Sequence, residues 1–255
     1  METIALRLVL PPLVIALASL AQTRLGDRLG GLVVGLPLTS GTFLGLLYLS
    51  HGPEALAHAA AGMLGGQIAV VVMCVAYATA ARRHSPAVAL LAAVIAWTVT
   101  ITLVHRLVHD ALVAAVGHAL LALTALSLWP KTSAREGASP QRRARHDLLV
   151  RVAIGSALVL ALTAGVQSLG PALAGSLAAA PLVALVLSPS THGQRGAGAV
   201  RDLLGGVVRG SVGAAAFALV VVGSAHELGG LSIVAATAAC LAVVGVLGRL
   251  DSLRA

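Results

Sequence analysis

A cluster of hydroxyl side chains interrupts an otherwise apolar stretch near the start of the chain. Residues 30–49 read GGLVVGLPLTSGTFLGLLYL, in which Pro37 is followed by Thr39, Ser40 and Thr42. A proline removes one hydrogen bond of a helix and frees the carbonyl about four residues before it. In a bilayer that carbonyl needs a side chain, a water or a neighbouring helix as its partner. The stretch therefore predicts either a kink satisfied by its own hydroxyls or a broken helix that lines a polar site.

A second proline lies at the matching place in the other half of the chain. A shift of 144 positions places Pro37 on Pro181, in the sequence AAAPLVALVL, which has lost the hydroxyls. Matches of glycine and proline are informative because each residue type constrains the backbone. Broken helices at matching places in two halves of a chain indicate a transport site. The same shift also pairs Gly31 with Gly175, Gly62 with Gly206, and Gly66 with Gly210.

Three further residues are candidates for solute contact. Gln67 and Ser211 occupy matching positions beside Gly66 and Gly210. They would be neutral ligands across a pseudo-twofold axis, unless these small residues serve only close helix packing. Arg209 is the one charged residue deep inside a predicted span, since Arg7 and Arg151 lie near span ends. A charge there indicates function and would favour an anion, unless the side chain extends to the inner headgroups.

The composition predicts an all-α, polytopic membrane protein. Hydrophobic residues make up 58% of the 255 residues and charged residues 10%, with a mean hydropathy of +0.96. Apolar runs of about 20 residues recur, and each is long enough to cross a hydrocarbon core of roughly 30 Å. The nine predicted spans are 4–20, 29–49, 56–80, 87–104, 108–129, 148–165, 170–188, 203–223 and 231–248.

The spans predict two four-helix repeats, 1–104 and 148–255, joined by a linker helix in 105–130 and a basic loop, 131–147. Five spans precede the second repeat, so it enters the membrane from the opposite side and the repeats are inverted. With the N-terminus outside and the C-terminus in the cytoplasm, the Lys and Arg residues fall on the cytoplasmic side, as the positive-inside rule requires. The exceptions among the 17 are Arg7, Arg106 and Arg209.

Several classes of function are disfavoured. The formal charge of +8 lies mainly in short loops between spans, so we expect no nucleic-acid partner. Cys74 and Cys240 lie in predicted spans without metal-ligand spacing around them, so we expect neither a metal nor a cofactor. No nucleophile and base are spaced for catalysis, so we expect no enzyme. All nine Asp and Glu lie in loops or at span ends, which disfavours a proton- or sodium-driven cation antiporter.

One stretch resembles a known family. The segment LASLAQTRLGDRLGGLVVGLPLTSGTFLGLLYLSHGPEALAHA is similar to the GlpM-like family of small bacterial inner-membrane proteins. The shared features are a short basic loop, the step Gly35 to Leu38, and the Gly-x-Glu-Ala-Leu motif of Gly52 to Leu56. The resemblance covers most of 5–104 and, more weakly, 148–248. It implies a bacterial inner-membrane protein built from two fused four-helix units, and it implies no particular activity.

These observations predict a transporter or channel for a small neutral or anionic solute, in contact with the lipid bilayer. Its site would lie at the pseudo-twofold axis and include Thr39, Ser40, Thr42 and the breaks at Pro37 and Pro181. Gln67, Arg209 and Ser211 would contact the solute. The alternatives are a non-transporting scaffold subunit of an envelope or lipid pathway and a lipid flippase. The sequence does not predict the oligomeric state.

Overall fold

The computed structural model describes Leu20, Arg24, residues 26–129 and residues 171–252, and the regular structure in this part of the chain is entirely helical. The predicted spans 4–20 and 148–165 and the loop 131–147 lie outside the described residues. The helices are α1 (26–34), α2 (Leu38–Ala80), α3 (Pro86–Leu107), α4 (Ala111–Ser127), α5 (Pro171–Ala178), α6 (Leu182–Leu228) and α7 (Leu231–Ser252).

Two glycines bend the long helices α2 and α6. Gly52 has φ 78° and ψ −172°, and Gly196 has φ 85° and ψ 179°. This backbone conformation is open essentially to glycine alone. Pro53 adds to the first bend because the residue before a proline is kept out of the helical region. Each long helix therefore consists of a short first part, 38–51 or 182–195, and a long second part, 53–80 or 197–228.

Local sequence explains where several of the other helices begin and end. Pro86 follows the N-cap of α3, a position where its missing N–H costs nothing. The Asp110 carboxylate accepts from the Val113 N–H at 2.9 Å and so caps α4. Gly229, with φ 52°, ends α6 and leads into α7.

The two broken helices cross the bundle in opposite directions. Asp27, at the start of α1, forms an ion pair with Arg195, which precedes the second bend. Tyr48, near the first bend, packs against Gly229 at the end of α6. The chain from α1 to the first bend therefore crosses the whole bundle. We call its two ends the Gly196 end and the Gly52 end.

The second broken helix starts at the Gly52 end. Gly175 of α5 packs against Ala59, and the Ser176 hydroxyl donates to the Gly62 carbonyl at 2.9 Å. Both partners lie in the first turns of the long second part of α2, next to the Gly52 end. The chain from α5 to residue 195 then runs to the Gly196 end, antiparallel to α1 and residues 38–51.

Four helical segments in the described residues are long and apolar enough to cross a membrane, namely Ser40–Ala80, Pro86–Leu107, Gly175–Leu228 and Leu231–Arg249; α4 is apolar but shorter. The first and third form the centre of the bundle, whereas α3, α4 and α7 expose rows of large apolar side chains. Leu91, Ile95, Val99 and Leu103 form one such row on α3. Apolar surface of this extent fits contact with lipid.

Two buried apolar clusters lie on either side of the helix breaks. One includes Leu44, Met63, Phe217 and Val221 and lies toward the Gly52 end. The other includes Val70, Met73, Tyr77, Leu204 and Val207 and lies toward the Gly196 end. The breaks therefore fall between two packed layers, at middle depth in the bundle.

The seven predicted spans that fall within the described residues coincide with helical segments. Two gaps between predicted spans, 50–55 and 189–202, are helical apart from Gly52 and Gly196. Residues 189–202 were assigned to a cytoplasmic loop, whereas the structure continues α6 through them with a single non-helical residue, Gly196. The polar residues SPSTHGQRGAGAVRD hid this helix, because they lower the hydropathy below that of a span. The domain boundaries 1–104, 105–130, 131–147 and 148–255 stay predictions.

Candidate functional site

The first helix break lies at residues 35–37. α1 ends with the Gly35 N–H bonded to the Gly31 carbonyl at 2.9 Å, and Pro37 has φ −78° and ψ 44°, outside the helical region. The first helical hydrogen bond after the break joins the Gly41 N–H to the Pro37 carbonyl at 2.7 Å. Proline starts the new helix readily because its own N–H is not required there.

The second break repeats this geometry 144 positions later. α5 ends with the Ala179 N–H bonded to the Gly175 carbonyl at 3.1 Å, and Pro181 has φ −82° and ψ 59°. The next helix begins with the Leu185 N–H bonded to the Pro181 carbonyl at 2.9 Å. Both breaks therefore end one short helix and begin another within three residues.

Glycine contacts hold each break against the long helix of the other half. A Cβ at Gly31 would overlap the Leu203 carbonyl, and a Cβ at Gly175 would overlap the Ala59 carbonyl. These two contacts are related by the shift of 144 positions. Likewise, Gly66 meets Ser176 and Ala179, and Gly210 meets Leu32 and Gly35. Each of these glycine contacts therefore has its counterpart 144 positions away, with the two halves of the chain exchanged.

A cavity of about 40 Å³ lies between the two breaks. One water molecule needs about 10–15 Å³ by this measure, so the cavity has room for roughly three. Its lining combines residues of both breaks with side chains of the long helices, namely Val34, Gly35, Leu36, Pro37, Ser40, Gln67, Val70, Ala178, Ala179, Ala180, Pro181, Leu182, Val183, Val207 and Ala214.

Two polar side chains line this cavity. Ser40 and Gln67 are each only 4% exposed. Neither forms a side-chain hydrogen bond to another described residue. Because both side chains line the cavity, a water or a solute there can be their hydrogen-bond partner. The Gln67 amide offers two donors and one acceptor, and the Ser40 hydroxyl offers one donor.

Backbone N–H groups add further donors at the same place. The N–H groups of Leu38 and Ser40 precede the first helical bond of α2, and no side chain caps this end. The N–H groups of Val183 and Ala184 likewise precede the first helical bond of α6, which also lacks a side-chain cap. Both half-helices are 14 residues long, and their N-terminal residues line the cavity. A helix N-terminus carries partial positive charge and favours anions.

The remaining predicted site residues lie elsewhere or fall outside the description. The side chain of Thr39 is not among the described side chains. Thr42 is half-buried and does not line the cavity. Pro37 and Pro181 both line it, together with Ser40 and Gln67. The structure therefore brings together the two predicted helix breaks, Pro37 and Pro181, and two of the predicted solute contacts, Ser40 and Gln67.

Ser211 is paired with a side chain of α4. Its hydroxyl donates to the Val208 carbonyl at 2.8 Å, and the His118 Nε2 lies 3.0 Å from the same oxygen. Because the serine proton is already used, the His118 Nε2–H is the donor of the second bond. Both side chains are buried, and Ser211 does not line the cavity. The expected solute contact at Ser211 is replaced by a link between α4 and α6.

Arg209 also differs from the expectation. Its Nη1 donates to the Gly205 carbonyl at 2.9 Å, one turn back along its own helix toward the Gly196 end. The Trp129 ring covers the same glycine, and the Trp129 Nε1–H donates to the Arg201 carbonyl at 3.2 Å. The side chain thus follows its helix away from the cavity, as the snorkelling alternative describes.

Sequence reasoning missed two features of the Gly196 end. The Asp27 carboxylate and the Arg195 guanidinium form a two-point ion pair, with Nη1 donating to Oδ2 at 2.9 Å. Arg201 is 5% exposed although it was assigned to a loop. Opposite charges 168 positions apart carry no local pattern, so only the packing of α1 against α6 brings the pair together. Within the described residues, no group of His, Cys, Asp or Glu is placed to hold a metal.

Comparisons with protein-family models, with curated proteins and with solved structures find no match to this chain. The resemblance to the GlpM-like family therefore stays a prediction. What the chain itself shows is an all-helical fold with four segments compatible with membrane spans and a small polar cavity at two helix breaks.

Proposed function

We propose that this protein is a membrane transporter or channel for a small anionic or neutral solute, and that the cavity between the two helix breaks is its site. The observation that carries this proposal is the pair of polar side chains that line the cavity, Ser40 and Gln67, beside half-helix N-termini that no described side chain caps. Discontinuous helices that present their N-termini at middle depth are the usual means of binding an anion inside a membrane.

We further propose that the two halves are inverted repeats. Matching segments run in opposite directions, and the contacts of Gly31 and Gly175 are exchanged between the halves. The bends at Gly52 and Gly196 are also one shift of 144 positions apart. If the helices span a bilayer, the twofold axis lies in the membrane plane and passes near the cavity.

The distribution of basic residues supports an orientation. The Gly196 end carries Arg28, Arg82, Arg83 and Arg195, whereas Arg106 is the basic residue at the described Gly52 end. The positive-inside rule then places the Gly196 end in the cytoplasm of a bacterial inner membrane. The N-terminus would lie outside and the C-terminus in the cytoplasm.

The size of the cavity favours a small solute over a lipid. Space for roughly three waters suits a monatomic or small polyatomic anion and is less than a phospholipid headgroup requires. The donor set of two N-termini, an amide and a hydroxyl suits an acceptor-rich solute. A flippase would need a much larger opening, and a scaffold would need no polar cavity.

Flux of small anions from proteoliposomes tests this proposal. Purified protein would be reconstituted into vesicles loaded in turn with fluoride, chloride, nitrate and formate, and release would be followed with ion-selective electrodes or fluorescent indicators. We expect faster release of at least one anion than from protein-free vesicles. In the variant Gln67→Met, which keeps the length but removes the amide, we expect that flux to fall at least tenfold, since a hydrogen bond to a charged group contributes about 1.5–3 kcal/mol.

The control is Ser232→Ala, which removes a buried hydroxyl whose bond to the Gly229 carbonyl lies outside the cavity. We expect this variant to retain the flux of the unmodified protein. Equal flux of every tested anion from vesicles with and without protein would overturn anion transport and favour the scaffold. Equal loss in Ser232→Ala and Gln67→Met would show that the cavity has no special role.

A further inference from the structure

Besides the Trp97 Nε1 of α3, three buried polar atoms beyond the cavity have no hydrogen-bond partner in the described part of the chain. They are the Tyr77 hydroxyl, the Ser188 hydroxyl and the His192 Nδ1. Tyr77 and Ser188 are each 1% exposed. Folded proteins rarely leave such groups unsatisfied, and each costs about 1–3 kcal/mol unless a water or a ligand bonds to it.

Two of these groups, those of Tyr77 and His192, lie at one contact between α2 and α6. The rings of Tyr77 and His192 meet edge to face, with centroids 6.0 Å apart. Ser188 is one turn before His192, so both side chains lie on the same face of the half-helix 182–195. A water between helices needs two to four polar partners, and this cluster supplies them.

The cluster lies between the cavity and the Gly196 end. Leu182 lines the cavity, and a helical rise of 1.5 Å places Ser188 about 9 Å and His192 about 15 Å further along the half-helix. Arg195 and Asp27 follow at the end of the same half-helix. Polar groups therefore recur along this half-helix from the cavity almost to the surface.

The matching positions of the other half are apolar or differently used. The shift of 144 positions places Ser188 on Leu44, Tyr77 on Val221 and His192 on Tyr48. Leu44 and Val221 are fully buried in the apolar cluster of the Gly52 end. Tyr48 directs its hydroxyl to Gly229 at the helix end. Two of the three matched positions are therefore polar toward the Gly196 end and apolar toward the Gly52 end.

We propose that Tyr77, Ser188 and His192 hold waters that form a hydrated half-path from the Gly196 end to the cavity, while Leu44 and Val221 seal the cavity from the Gly52 end. This inference rests on the proposed function and adds which end of the bundle gives access to the site. The solute would enter and leave this conformation through the Gly196 end. Passage to the Gly52 end requires the apolar cluster of that end to open.

Thiol reactivity at matched positions tests the half-path. The native Cys74 and Cys240, both buried, would first be replaced with alanine. Single cysteines would then be introduced as Ser188→Cys, Leu44→Cys and Gln67→Cys. Silver ion, which is small enough for a narrow water path, would be applied in nitrate medium to one side of sealed vesicles of known orientation. The thiols that remain would be counted with a maleimide after denaturation.

We expect the thiols at positions 188 and 67 to react from the Gly196 side at least tenfold faster than from the other side. We expect position 44 to react slowly from both sides. Equal reactivity at 188 and 44, reaction at 188 from the Gly52 side, or an unreactive thiol at 67 would each overturn the inference. Variants that do not elute as a single species would be replaced with the second matched pair, Tyr77→Cys and Val221→Cys.

The two proposals fail in different ways in these experiments. Loss of the thiol pattern with anion flux intact would remove the half-path and leave the cavity as the transport site. The expected thiol pattern without flux of any solute would confirm the half-path and refute transport, because the labelling reports water access and not solute passage.

Discussion

Replacing Gly210 with alanine should destabilise the bundle at the contact that holds the first helix break in place. An added Cβ would lie 2.5 Å from the Leu32 carbonyl oxygen and 2.7 Å from the Gly35 Cα, whereas ordinary contact begins near 3.4 Å. The two backbones must therefore separate by about 0.7–0.9 Å. Both obstructing atoms belong to the backbone, so no side-chain rotation can relieve the overlap. Overpacking of this kind costs about 1–3 kcal/mol.

The matched control is Gly223→Ala in the same helix, where a Cβ would meet nothing within 4 Å. Each substitution replaces glycine with alanine, which stabilises the helix by about 1 kcal/mol in both variants. The difference between their melting temperatures therefore reports the steric overlap alone. At about 2–4 °C per kcal/mol, we expect Gly210→Ala to melt about 2–12 °C below Gly223→Ala. The measurement is the size-exclusion peak of a fluorescent fusion in detergent, recorded after heating to increasing temperatures.

The matching residue Gly66 extends this test to the other half. Its Cβ would lie 2.6 Å from the Ala179 Cβ and 2.7 Å from the Ser176 carbonyl oxygen. We therefore expect Gly66→Ala to lose stability by the same amount as Gly210→Ala. If Gly210→Ala melts at the same temperature as Gly223→Ala, the close approach of α1 and α6 is refuted. If Gly210→Ala and Gly66→Ala differ widely, the two breaks are not held in the same way.

Three further substitutions test contacts away from the cavity with the same thermal assay. Ser211→Ala should cost about 1–3 kcal/mol because it leaves the buried His118 Nε2–H without its acceptor; an unchanged midpoint would argue against that bond. Asp27→Asn should cost about 1 kcal/mol by weakening the ion pair with Arg195, and the loss should shrink in high salt; a salt-independent loss would point to packing instead. Gly52→Ala should cost about 1–3 kcal/mol through backbone strain alone, since a Cβ there meets nothing; tolerance would refute the bend.

The helix breaks are the part of the site that the sequence predicts well. A proline among apolar residues removes a backbone hydrogen bond wherever it falls inside a helix, so Pro37 and Pro181 mark interruptions without knowledge of the tertiary structure. Gln67 could be proposed because few polar residues lie inside spans. The bends at Gly52 and Gly196 were not predicted, since the chain has 28 glycines and only packing decides which of them adopts a positive φ.

Side-chain direction was the weakest part of the prediction. Arg209 is long enough to reach either the cavity or the Gly196 end, and the choice depends on the Gly205 carbonyl and on Trp129, which α4 brings from another part of the chain. Ser211 was expected to face the solute because it matches Gln67. Its pairing with His118 joins residues 93 positions apart, and no local pattern records such a contact.

The glycine contacts of the two breaks have a consequence for how the protein is made. Gly31 packs against Leu203, some 170 positions later in the chain, so α1 leaves the ribosome long before its partner helix exists. At about 5–20 residues per second, that interval lasts roughly 10–30 s. During this time α1 and its exposed break must be sheltered by lipid, by the insertion machinery or by earlier helices. Chains that stop before α6 therefore keep an unsatisfied break in the bilayer, and we expect quality-control proteases to remove them.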